Sequence, residues 1–157
     1  MTVSSRYILL AEDNPADVFL VREALEGRAV NYDLHVIADG EQVVQFIERI
    51  DADRALHCPH LVLLDLHLPK RDGGEILKSL RASERCGQTP VVMLTASESP
   101  HREMNAEVNA ARHAALRYFR KTASLEQFMR LGDVVNGIIG PAGKRTPWLG
   151  DRTFGEG

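Results

Sequence analysis

Five positions carry side chains able to act together: the acidic pair Glu12-Asp13, then Asp65, Thr95 and Lys121. Each follows a short apolar run. Tyr7 to Ala11 precedes the acidic pair, Leu61-Val62-Leu63-Leu64 precedes Asp65, Val91 to Leu94 precedes Thr95, and Leu116 to Phe119 stands just before Lys121. If these runs are neighbouring strands pointing one way, three carboxylates, a hydroxyl and an ammonium converge on one rim. Carboxylates brought within about 4–6 Å raise one another's pKa unless a cation lies between them. A hard divalent ion answers that need. Mg²⁺ takes oxygen ligands and keeps several waters, so one or two carboxylates and a backbone carbonyl suffice. Taken singly, the acids read as turn or cap residues, Thr95 as a β-branched strand residue and Lys121 as a solvated loop lysine. Their joint arrangement carries the functional reading.

The elements that must position them alternate between short apolar runs and helical patterns, as in a parallel sheet wrapped by helices. Tyr7 to Ala11 predicts the first strand, and Asn14-Pro15 opens a helix that Gly27 ends. Leu34 to Ala38 predicts a second strand, Asp39-Gly40 a turn, and Val43, Val44, Phe46, Ile47 and Ile50 a second helix. Leu61 to Leu64 is apolar on both faces, as a central strand must be. Gly73-Gly74 then leads a helix carrying Ile76, Leu77 and Leu80. Val91 to Leu94 is the fourth strand, a helix runs from about Arg102 to Ala111, and Leu116 to Phe119 is the fifth strand. Ser124 with Gln127 predicts a capping box for one last helix bearing Leu125, Phe128, Leu131, Val134, Val135 and Ile138. Residues 1–140 are expected as one domain, with a Gly/Pro-rich tail over 141–157.

The 157 residues, 44% hydrophobic and 26% charged, suit one domain with a proper core. No apolar run reaches the roughly 18–20 residues of a membrane span. Met1 to Arg6 lacks the basic region and apolar stretch of a secretory signal, so the cytoplasm is expected. A net charge of −3 without a basic tract gives no reason to expect nucleic acid as a partner. Cys58 and Cys86 stand apart, which suits a reducing compartment and argues against a disulfide framework. His57-Cys58-Pro59-His60 contains metal-binding residue types but not the spacing of a zinc site.

Longer motifs surround the five positions. They are Glu12-Asp13-Asn14-Pro15-Ala16-Asp17, Asp39-Gly40, Leu63-Leu64-Asp65-Leu66-His67-Leu68-Pro69 with Asp72-Gly73, Val91-Val92-Met93-Leu94-Thr95-Ala96-Ser97, and Tyr118 three residues before Lys121. Together they resemble the response-regulator receiver family over roughly Tyr7 to Ile139. The opening segment and Leu68 to Gly73 look most like the small stand-alone receivers that accompany phytochrome-type histidine kinases. The resemblance implies a flavodoxin-like, doubly wound (βα)5 fold with a parallel five-stranded sheet in the order 2-1-3-4-5. It further implies Asp65 as phosphoryl acceptor, served by a sensor histidine kinase or a phosphotransfer protein. Asp13 and Asp65 would hold Mg²⁺, Asp13 directly, with Glu12 acting through water or a more distant contact and His67 through its backbone carbonyl. Lys121 and Thr95 would meet phosphoryl oxygens, with Ala96 small enough to leave access. Movement of Thr95 would open space for Tyr118, the switch residue, while His67 and Ser97 would tune dephosphorylation. Such a protein is an acceptor with slow autodephosphorylation, not a turnover enzyme. It signals by protein contacts, and the apolar last helix with Trp148 and Leu149 suggests a homodimer through the last helix and strand.

Two departures fall on the signalling side. Family members usually have a cis proline after the lysine, where this chain has Thr122. A cis bond at a non-proline residue costs about 2.5–4 kcal/mol, so the peptide is trans or is held cis under strain. Thr95 and Lys121 are also further apart than the family norm, with the extra residues around Ala110 to Ala115. Two other functions compete. A haloacid-dehalogenase-like phosphatase needs a second acid two positions after its nucleophile, where His67 stands. A constitutive docking surface on the same fold is argued against by the full acidic set and kept open by Thr122.

Overall fold

A computed structural model of the chain describes residues 6–96, 116–122 and 124–140. Five parallel strands, β1 (Tyr7–Ala11), β2 (Asp33–Ile37), β3 (Leu61–Asp65), β4 (Val91–Thr95) and β5 (Leu116–Arg120), form one sheet in the order β2-β1-β3-β4-β5. The helices are α1 (Pro15–Gly27), α2 (Gly40–Ala52), α3 (Gly73–Ala82), α4 (Leu125–Phe128) and α5 (Arg130–Ile139). The helix expected near Arg102 to Ala111, the tail over 141–157 and Ser97 lie outside the described residues. Among the described residues no helix is long and apolar enough to cross a membrane.

Strand alternation divides the apolar residues into two cores. Leu9, Ala11, Val62, Leu64, Val91 and Met93 meet α2 and α3 on one face. Ile8, Leu10, Leu61, Leu63, Val92 and Leu94 meet α1, α4 and α5 on the other. Every residue of β3 and β4 is buried. Each such aliphatic side chain contributes about 1.5–3 kcal/mol on burial. The strands therefore hold a fixed register, and their carboxyl ends form a stable platform.

Several expectations are corrected. β2 begins and ends one residue earlier than its apolar run, because Ala38 leads into Asp39, whose side chain caps α2 by accepting from Gln42 N–H at 2.8 Å. β3, β4 and β5 each extend one residue further, so Asp65 and Thr95 belong to their strands. The last helix is divided. Ser124 accepts from Gln127 N–H at 3.4 Å, but α4 stops at Phe128 and α5 restarts at Arg130. Restarting lets Gly132 press against α1, where an added Cβ would meet the Ala24 carbonyl oxygen at 2.4 Å. A full reciprocal capping box stands instead at α3, between Asp72 and Glu75. Phe128, Leu131, Val135 and Ile138 are wholly buried in the α1-side core, so the apolar stripe of the last helix is filled from within.

The largest correction concerns the cysteines. Cys58 and Cys86 form a disulfide bond, with Cα atoms 5.7 Å apart. Their sequence separation of 28 hides this proximity. One precedes β3 and the other precedes β4, and these neighbouring parallel strands start at the same edge of the sheet. Polar contacts hold the two connectors together. The Asp51 carboxylate accepts from Ser83 Oγ at 2.8 Å and Arg85 N–H at 3.1 Å. Arg85 also donates to the carbonyls of Ile50, Asp53 and Leu56.

Candidate metal centre

The opposite edge of the sheet gathers the acids. Glu12 follows β1 and Asp65 ends β3; both are buried, at 1% and 4% exposure, while Asp13 is exposed. Ala11 pairs with Leu64 and Asp65 with Leu94, so adjacent strands end level with each other. One carboxylate oxygen from each of Glu12, Asp13 and Asp65 lies within 4.8 Å of the others. No other comparable group of His, Cys, Asp and Glu occurs among the described residues. Cys58, held in its disulfide, gives no thiolate to the His57–His60 stretch.

Lys121 reaches into this group from just beyond β5. Its Nζ lies 3.3 Å from Glu12 Oε1 and 3.5 Å from Asp65 Oδ1. Its backbone N–H donates to the Thr95 carbonyl at 2.6 Å, which anchors the base of the side chain. There is no cis peptide bond among the described residues, so the Lys121–Thr122 bond is trans and the ammonium still points inward. A third carboxylate, Asp17 Oδ2 on α1, is nearer at 2.8 Å. Asp17 stands in the opening motif, where a first-turn acid ordinarily serves its own helix end.

The electrostatics follow from this crowding. Burial first, and then the charge of Asp65, push the Glu12 carboxyl up to about 7, against the lowering effects of Lys121 and the Asn14 amide. For Lys121, burial works against the ammonium. The Asp17 hydrogen bond and the charges of Asp65, Glu12 and Asp17 outweigh it and raise its pKa.

The remaining positions divide. Thr95 is 1% exposed at the end of β4, and Ala96 is exposed in the bend that follows. Tyr118 pairs with Met93 across β4 and is partly buried against the α2/α3-side core, so by alternation it shares a sheet face with Thr95. His67 is exposed, and its backbone N–H donates to Asp65 Oδ1 at 3.2 Å. The loop after it is latched to α2. Gly40 N–H donates to the Pro69 carbonyl at 3.0 Å, Arg71 pairs with Glu41 at 3.0 Å, and Lys70, at a φ of 72°, lies 3.8 Å from Asp39.

The donor set is all oxygen, close-packed and over-supplied with negative charge, and so fits a hard divalent cation such as Mg²⁺ or Mn²⁺. When bound, the ion supplies positive charge to oxygens brought against Asp65.

Known proteins resemble this chain in sequence and fold. Response regulator Rcp1 of Synechocystis is 32% identical over 126 residues, covering 80% of this chain and 83% of the relative. The Mn²⁺-bound form of Rcp1 superposes with a TM-score of 0.68 at 28% identity, covering 89% of this chain and 98% of that one. The phosphorylated cyanobacterial phytochrome response regulator RcpA gives 0.69 at 28% identity, with 86% and 94% covered. The receiver domain of sensor histidine kinase PA1611 from Pseudomonas aeruginosa, with a magnesium ion coordinated in its active site cleft, gives 0.61 at 27% identity, with 83% and 97% covered. The response regulator receiver domain pattern matches residues 8–131. With that match, the strand order and the acidic rim in agreement, this chain belongs to the response regulator receiver domain family.

Proposed function

We propose that the chain is a phosphorylation-dependent signalling module whose phosphoryl acceptor is Asp65. The observation that carries this is the setting of its carboxylate, which ends a buried strand, lies beside Glu12 and Asp13 within 4.8 Å, and has Lys121 Nζ 3.5 Å away. An Asp65 oxygen attacks the phosphorus of a phosphohistidine whose other ring nitrogen is protonated, the P–N bond breaks, and the ring leaves as neutral imidazole with the bond's electron pair on the freed nitrogen. Phosphoryl transfer needs positioning and positive charge on the equatorial oxygens more than covalent chemistry. Asp13 and Asp65 are the carboxylate ligands of the cation, Glu12 assists, and the His67 carbonyl completes the protein's set. Lys121 meets one phosphoryl oxygen and the Thr95 hydroxyl another, while Ala96 leaves the approach open.

The new group adds nearly two negative charges. Thr95 moves toward them and Tyr118 turns inward on the same sheet face, which alters the β4–β5 surface. His67, Ser97 and Ala96 set a slow autodephosphorylation. The phosphodonor is a sensor histidine kinase of the phytochrome type or a phosphotransfer protein, as the likeness to RcpA and Rcp1 supports. Output is by protein contacts, including a homodimer that, with the apolar stripe of the last helix already buried in the core, would use the exposed side chains of the last strand and helix. Sedimentation that finds a monomer at high concentration, phosphorylated or not, removes the dimer.

The test of the acceptor is labelling by a small phosphodonor with Mg²⁺. Wild type takes up phosphate and Asp65→Asn does not; equal labelling of both ends the proposal. Phosphotransfer profiling against kinases of the same cell identifies the partner.

A further inference from the structure

Resting on the acceptor reading above, we propose that Asp17 is a positioning residue for Lys121, holding its ammonium at the rim while Glu12 and Asp65 are engaged elsewhere. A lysine ammonium has three N–H donors. Here Nζ has three carboxylate acceptors, Asp17 Oδ2 at 2.8 Å, Glu12 Oε1 at 3.3 Å and Asp65 Oδ1 at 3.5 Å. The shortest of the three contacts is with the one carboxylate outside the metal-binding group. A cation held by Glu12, Asp13 and Asp65 would compete with the lysine for the Glu12 and Asp65 oxygens, and a phosphoryl group on Asp65 would take the Asp65 oxygen. Asp17 is left as its fixed seat.

The local structure explains why Asp17 is available. An acid at the third position of a helix commonly accepts from the cap residue's own N–H. At α1 that amide, Asn14 N–H, donates to Glu12 Oε2 at 3.2 Å instead. The Asp17 carboxylate is turned to Lys121. Its backbone is held in a capped first turn, with Ala16 N–H donating to Asn14 Oδ1 at 2.9 Å and Val18 N–H to the Asn14 carbonyl at 3.0 Å. At the other end, Lys121 N–H is fixed to the Thr95 carbonyl. The lysine side chain thus spans from the end of β5 to α1, between two anchored backbones. Its side chain is 16% exposed and that of Asp17 is 20% exposed, so the pair is shielded enough for a charge-assisted bond to hold.

The test is a double-mutant cycle on phosphorylation by phosphoramidate with Mg²⁺, using wild type, Asp17→Asn, Lys121→Ala and the double variant. We expect Asp17→Asn to lower the rate about tenfold in wild type and less than about twofold in Lys121→Ala, because an effect routed through the lysine vanishes without it. Where the Lys121→Ala rate is too slow to follow, beryllium fluoride affinity reads the same cycle. Asp17→Glu, which keeps the carboxylate, recovers most of the rate and guards against a folding defect in the Asn variant. An unchanged Asp17→Asn rate overturns the proposal, as does an equal loss in both backgrounds or a Glu variant as slow as the Asn variant. Wild type that takes up no phosphate fails the acceptor reading, a distinct result.

Discussion

Lys121 Nζ lies 3.3 Å from Glu12 Oε1, yet the Glu12 carboxyl is still pushed up to about 7. Burial and the neighbouring Asp65 charge win over the lysine. One ammonium shared among Glu12, Asp17 and Asp65 does not neutralise the group. The metal-free site therefore holds a proton near neutral pH, and this has consequences for ion binding and stability.

A divalent cation must displace that proton. Lowering the pH from 8 to 6 is expected to weaken Mg²⁺ binding, by up to about tenfold per pH unit below the Glu12 pKa. Calorimetry in buffers of different ionisation heat should show about one proton released near pH 6 and far less for Glu12→Gln. The same shift couples folding to pH. Between the ordinary value of 4.5 and about 7 the native protein binds a proton that the unfolded chain has lost. Metal-free stability therefore falls as pH rises through that window and levels off above it. Thermal unfolding in saturating Mg²⁺ should lose this dependence, and a pH-independent Mg²⁺ affinity would contradict the account.

The disulfide makes a separate prediction. It closes a loop across a separation of 28 residues that contains β3, Asp65 and α3. By loop-closure entropy a link of that length is worth about 3–4 kcal/mol. Dithiothreitol, or Cys58→Ala with Cys86→Ala, should lower the denaturation midpoint accordingly without changing the fold. Alkylation of the untreated native protein at both cysteines would show free thiols and refute the link between Cys58 and Cys86.

What could be read in advance depended on whether the signal was local. β3 and β4 are apolar on both faces, Asn14 is a strong cap and α2 carries a regular apolar stripe, so these elements were legible, whereas Asp39, expected in a turn, caps α2. The acids at strand ends were legible because parallel order places those ends together. The Cys58–Cys86 contact was not, since only the packing of neighbouring connectors creates it. The break at Met129 was hidden too, because Phe128 and Leu131 keep helical spacing across it. Asp17 was concealed by a second plausible role at its helix end. Its real partner is 104 residues away.

The two glycines of α5 should respond in opposite directions to alanine. At Gly132 an added Cβ would meet the Ala24 carbonyl oxygen at 2.4 Å and Arg28 Cβ at 2.6 Å, so α1 and α5 must separate. A loss of about 1–3 kcal/mol is expected. At Gly137 a Cβ meets nothing within 4 Å. There alanine gains about 0.5–1 kcal/mol from helix propensity. Urea unfolding of both variants checks the pair, and two changes of the same sign would refute the packing argument.

Gly40→Ala probes the route from α2 to the metal centre. The new Cβ would lie 2.2 Å from the Arg71 carbonyl oxygen, a backbone atom that cannot swing aside. The loop must retreat and stretch the bond from Gly40 N–H to the Pro69 carbonyl. That loop begins at His67, whose N–H orients Asp65 Oδ1 at 3.2 Å. The expected result is a stability loss of about 1–3 kcal/mol together with weaker Mg²⁺ binding. Glu41→Gln, which weakens the partly exposed pair with Arg71 without crowding the backbone, should change stability by less than about 1 kcal/mol. Comparing their Mg²⁺ titrations separates backbone displacement from lost charge, and equal effects from both variants would place the control of the loop in the ion pair instead.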